Sequence, residues 1–146
     1  MYDAASDETA TIAISGVSGG SASESGSQSV TITITDDDSA PTVTLAASST
    51  SIAENSSSTI TLTATLSNAT YQDVTVSIGT SGTATEGTDY GNISDITISA
   101  GSTTGTVNFT PTDDSVYEGN ETAIISIDGV SGGGASESGT QSVTIT

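Results

Sequence analysis

Along this chain, short runs of apolar residues alternate with Ser and Thr, and a period of two leaves few folds open. In ITLTATL, residues 60–66, Ile60, Leu62, Ala64 and Leu66 alternate with threonines. Successive side chains of a strand point to opposite faces, so such a run is a strand with one face buried and one in water. No segment places apolar residues at helical spacing. Seven runs carry the pattern between Thr42 and Thr146. They are marked by Val43 and Leu45, by Ile60 to Leu66, by Val74, Val76 and Ile78, by Ile96 and Ile98, by Val107 and Phe109, by Ala123, Ile125 and Ile127, and by Val143 and Ile145. Gly, Ser, Asn and Asp clusters separate them, as turns require.

The predicted fold class is all-β: an antiparallel, immunoglobulin-like β-sandwich of about seven strands, repeated in tandem. The repeat is visible directly. Residues 15–33, SGVSGGSASESGSQSVTIT, recur almost unchanged as DGVSGGGASESGTQSVTIT at 128–146, 113 positions on. A β-solenoid would need a repeat several times shorter. By this register, residues 1–38 are expected to hold the last two strands and the Asp36–Asp38 triplet of a preceding repeat. Residues 39–41 form a short linker, and 42–146 a nearly complete repeat without a terminal triplet of its own. Ser39, Ala40 and Pro41 are too few and too stiff for free rotation between neighbouring repeats, so end-to-end stacking is expected. Two strands alone are marginal in water, so the first pair must be completed, either by a preceding segment or by another copy in a filament.

Charge narrows the function. The chain has 18 Asp and Glu and no Lys, Arg or His. Nucleic acid, phosphate ligands and anionic membrane surfaces all call for a basic counter-charge, so these partner classes drop out. Without cysteine there is no disulfide framework and no thiolate metal site. No run has the length to span a bilayer, and Met1 is not followed by a basic and then apolar leader, so any secretion signal is expected to lie outside these residues. An enzyme is not expected: carboxylates and Tyr are the only acid–base groups, and aromatic subsites are nearly absent.

The densest acid cluster is TDDSVYEGNET, residues 112–122, with Asp113, Asp114, Glu118 and Glu121. Two carboxylates about 5 Å apart repel by roughly 3 kcal/mol at an effective dielectric near 20, so a folded loop of four needs a cation or wide exposure. If strands alternate up and down, the connections after odd strands share one end. That end collects Glu54, then Glu86 and Asp89, then the 112–122 loop, and then the position beyond the seventh strand, where an Asp triplet falls. The other end receives 67–70, 100–103 and the Gly/Ser-rich stretch 129–140. Hard oxygen donors from several loops suit calcium, which takes six to eight oxygens in irregular geometry. Glu24, Asp73, Asp95 and Asp128 are read as solubilising surface charge.

Several stretches resemble the Calx-beta domain: SIAENS at 51–56, GTATEGTDY at 82–90, AGSTTGTVNFTPTDDSVYEGNET at 100–122 and VTITITDDD at 30–38. The resemblance implies calcium ligands at Glu54, Asp89, Asp113, Asp114, Glu118 and Glu121, a backbone carbonyl near Val116, and the triplet Asp36, Asp37 and Asp38. In the first, partial repeat the position of Glu118 is taken by Ala5, so a site there would lack one carboxylate. The expected function is a calcium-binding spacer of a long extracellular adhesin or surface filament, rigidified by calcium near the junctions between repeats. The alternatives are an adhesive module for carbohydrate or ice and a filament subunit joined by strand complementation. Neighbouring repeats or other copies are the expected partners. The Thr-rich strand faces suit solvent more than sugar, which would ask for stacking aromatics. Asn55, Asn68, Asn92, Asn108 and Asn120 all stand in Asn-x-Ser/Thr, candidate glycan acceptors in a secreted protein.

Overall fold

The computed structural model describes residues 7–146, which divide into two units, 7–38 and 39–146. Ala5 lies outside the described residues. All described elements are strands, and none of the described residues forms a helix long and apolar enough to cross a membrane.

The larger unit is a β-sandwich of two four-stranded sheets. One sheet has the order β7-β4-β3-β9, from β3 (Thr42–Ala47), β4 (Ile60–Leu66), β7 (Thr104–Phe109) and β9 (Ser136–Glu137). The other runs β10-β8-β5-β6, from β5 (Val74–Gly82), β6 (Ile96–Ile98), β8 (Ala123–Ser131) and β10 (Ser142–Ile145). In β4 the apolar positions are buried while Thr61 and Thr63 are half-buried and Thr65 is exposed. Val43, Leu62, Ala64, Val74, Val76, Ile98 and Ile125 are all fully excluded from solvent in the core between the sheets. β-branched side chains dominate because they pack well on a pleated surface and lose little rotamer freedom there.

The seven strands read from the period are present, and the structure adds β9. Ser136 and Glu137 pair in parallel with Thr42 and Val43, within the Gly/Ser-rich stretch expected to be connection alone. Backbone satisfaction drives this pairing, with Ser136 and Ser138 donating to the carbonyls of Pro41 and Val43 at 3.1 and 2.9 Å. Apart from β3 with β9, the pairings within each sheet obey the alternation of direction. β4 is antiparallel to both β3 and β7, β5 to both β6 and β8, and β8 to β10.

The smaller unit contains a single antiparallel hairpin, β1 (Glu8–Ala13) with β2 (Ser29–Ile34), every residue of which is exposed.

Candidate metal centre

The connections after β3, β5 and β7 and the end of β10 converge on one cleft of about 790 Å³, walled by Glu54, Asp89, Asp113, Glu118, Glu121 and Thr146. Its apolar floor is the end of the core. Tyr90 and Phe109 stack there with ring centroids 4.7 Å apart, and both are buried.

Backbone hydrogen bonds sew these connections together. Thr112 donates to the carbonyl of Asp89 at 2.9 Å, and Gly91 to that of Thr110 at 3.0 Å, holding the β5–β6 loop against the segment leaving β7. Thr83 and Ala84 both donate to the carbonyl of Thr122, which fixes the far end of the acidic loop. Gly82 permits this approach: at φ 120° a Cβ there would lie 2.1 Å from the Thr122 oxygen. Ile52 donates to Thr146 and Thr146 to Thr50, both at 3.0 Å, tying the strand end to the segment that carries Glu54.

Three carboxylates meet at the centre: Asp89, Glu118 and Glu121 each offer an oxygen within 4.8 Å of the others. Glu121 has its pKa raised, first by partial desolvation, then by the charge of Asp89, a hydrogen bond to it, and the charge of Glu54. Glu118 is also raised, by desolvation first and then by Asp89, Asp114, Glu121 and Glu54. Unrelieved repulsion among carboxylates is the condition a divalent cation removes. The donors are all hard oxygens, the set calcium takes.

The other residues expected at the site are placed as follows. Glu54 accepts a hydrogen bond from the backbone N–H of Asp114 at 2.9 Å, which brings the first connection onto the acidic loop. Asp113 lines the cleft. Asp114 turns one carboxylate oxygen to the N–H of Val116 at 2.7 Å, and Val116 itself is exposed. Asp89 likewise accepts from the Thr85 N–H at 2.6 Å, which orients its carboxylate. Asp36, Asp37 and Asp38 lie in the smaller unit on the exposed segment after β2, where Asp36 accepts from the Asp38 N–H at 2.9 Å.

Glu86 has a different task from its neighbour Asp89. Its oxygens take the Ile93 N–H at 2.6 Å and the Thr80 hydroxyl at 2.9 Å, pinning the β5–β6 loop from within. Tyr90 beside it has its pKa raised chiefly by burial. The carboxylates read as surface charge also hold backbone. Asp73 accepts from Ala100, Asp95 from Ile78 and Ser77, and Glu24 from Gln28, while Asp128 takes the Ser126 hydroxyl. Among the Asn-x-Ser/Thr positions, Asn55, Asn92, Asn108 and Asn120 are exposed; Asn68 is half-buried and its amide donates to the Ser39 carbonyl.

No curated protein matches the chain. The model of the Calx-beta domain family matches residues 36–146, which spans both sheets, the three converging connections and the acidic cluster. The chain belongs to the Calx-beta domain family.

Proposed function

We propose that the larger unit binds calcium in the cleft and serves as a structural repeat, a spacer, in a long extracellular adhesin or surface filament. The observation that carries this reading is the meeting of Asp89, Glu118 and Glu121 within 4.8 Å in a chain with no basic residue to neutralise them. Glu54 and Asp113 stand on the same cleft, and Asp114 carries the N–H that Glu54 accepts. The ion would supply positive charge at the point where loops from both sheets converge. Its role is to hold them together rather than to do chemistry.

The spacer part of the reading is supported by family membership and by the repeat of residues 15–33 at 128–146. In repeat register, Asp36, Asp37 and Asp38 correspond to positions following Thr146, whose residue lines the cleft. A site shared with such a triplet lies at the end of a repeat, where a cation stiffens the joint. Calcium-binding extracellular modules have dissociation constants of about 10⁻⁴ to 10⁻³ M.

Calorimetric titration of calcium into the chain tests the binding. An affinity in that range, lost in the Asp89→Asn, Glu121→Gln double variant, is the expected result. Absence of heat up to about 10 mM calcium, well above that range, ends the reading. The stiffening is tested by small-angle scattering of four repeats in series, whose dimensions should contract on chelation. Unchanged dimensions would remove the rigidifying role and leave the binding intact.

A further inference from the structure

The β1–β2 hairpin presents an apolar face that none of the described residues of its own unit covers. Ile12, Val30, Ile32 and Ile34 are 59, 58, 48 and 57% exposed. The chain contains the same hairpin a second time, as β8 and β10, and there the equivalent face is buried: Ile125 is 0% and Ile145 2% exposed.

The two hairpins match in geometry as well as sequence. Ile12 pairs with Val30 and Ala10 with Ile32, as Ile125 pairs with Val143 and Ala123 with Ile145. Gln28 takes its N–H to Glu24 and its side-chain amide to the Ser25 carbonyl, and Gln141 does the same with Glu137 and Ser138. Positive φ recurs at Gly19, Gly20 and Ser21 as at Gly132, Gly133 and Gly134. The first hairpin therefore holds the shape that its double uses when packed.

In the double, that face is buried in the core shared with Val43, Leu45, Leu62 and Phe109 of the opposite sheet, and the outer edge of its first strand is paired as well. β5 pairs along β8 from Thr75↔Ser131 to Gly82↔Ala123. β3 grips the loop, through Ser136 and Ser138 donating to Pro41 and Val43, and through Leu45 donating to Gln141 Oε1.

We propose that the β1–β2 hairpin is the docking face for a five-stranded body like β3–β7, carried ahead of it on the same polypeptide. In that arrangement a β5-like strand adds to β1 and a β3-like strand adds to the loop at Ser23–Ser25. A second copy of this chain is the poorer occupant. Each copy has two such hairpins and one body, so exchange between copies leaves one face open per chain. With a net charge of -18, copies also repel. Connectivity favours the same polypeptide, because Glu8 stands at the repeat position of Glu121, the last carboxylate of the loop that leads from a body into its hairpin. The inference rests on the repeat organisation in the proposed function and is independent of calcium.

The test compares the chain of residues 1–146 with an extended chain in which a copy of residues 39–113 precedes Met1. Amide exchange is followed at 8–14 and 29–34, with 123–127 and 142–145 as the internal reference. The hairpin should exchange rapidly in the shorter chain and reach the protection of the reference in the extended one. Ile12→Asp in the extended chain should reopen the first hairpin and leave the reference unchanged. A hairpin that stays unprotected in the extended chain overturns the proposal. So does a 1–146 chain that sediments as a dimer and is returned to monomer by Ile12→Asp, which would assign the face to a second copy. If calcium titration shows no binding while the hairpin gains protection, the calcium reading fails and this inference stands.

Discussion

The Glu54 carboxylate accepts a hydrogen bond from the backbone N–H of Asp114, 60 residues further on, at 2.9 Å. One oxygen of this side chain thus joins two loops, while the negative charge adds to the field felt by Glu118 and Glu121. The two roles separate by substitution. Glu54→Gln keeps an oxygen acceptor and removes the charge, so the calcium-free protein should keep nearly its full stability while calcium affinity falls roughly tenfold, as expected when a site loses ligand charge. Glu54→Ala removes both and should also cost about 0.5 to 1.5 kcal/mol of calcium-free stability. Urea unfolding in chelator, paired with calcium titration, distinguishes these outcomes.

The raised pKa values of Glu118 and Glu121 predict an unusual pH response. A carboxyl whose folded pKa lies above its unfolded value of 4.5 binds more protons folded than unfolded. Its contribution to stability is fully present below the unfolded value and lost as pH rises through the folded value. In chelator, these two groups should make thermal stability fall as pH climbs from about 4.5 towards neutrality. In saturating calcium the trend should reverse, because protons then compete with the ion. The Glu118→Gln, Glu121→Gln double variant should flatten both profiles in thermal unfolding across pH.

Gly82 allows the chain to pass the Thr122 carbonyl at φ 120°, where a Cβ would lie 2.1 Å from that oxygen. Gly82→Ala therefore combines backbone strain with displacement of the acidic loop. A loss of about 1 to 3 kcal/mol is expected, together with weaker calcium binding. If unfolding and calcium titration are both unchanged, the loop is not held at this point.

Phe109 supports the site from below through its stacking on Tyr90. Phe109→Ala should cost about 3 to 5 kcal/mol by leaving a cavity. Phe109→Leu should cost less and leave a folded protein whose calcium affinity reports on the floor alone. Denaturant unfolding gives the first quantity and calorimetry the second.

How far the site could be read depended on the residue. The gathering of Glu54, Asp89, Asp113, Glu118 and Glu121 at one end followed from strand parity, since a carboxylate in a loop inherits its end of the sandwich from the strand before it. The division of labour between Glu86 and Asp89 did not follow, because both are loop carboxylates three positions apart. Only the close approach of the Ile93 N–H and Thr80 hydroxyl sets Glu86 to structural use. β9 escaped for a related reason. Ser136 and Glu137 carry no apolar period, and their pairing to β3 arises from backbone groups that every residue has.

The period of two and the repeat at 113 positions determined, unaided, that this chain folds as β-strands and that its two ends share a hairpin, because strand geometry ties apolar spacing directly to burial. The lack of any basic residue determined that no side chain of the chain can neutralise its acid cluster. Tertiary structure alone decided which three carboxylates meet, and that Glu54, Glu86 and Asp114 hold backbone N–H groups of distant or neighbouring loops, as Asp89 also does. That arrangement depends on where loops distant in sequence come to rest, and a difference of a few ångströms there separates a carboxylate that joins the cluster from one that only pins a loop.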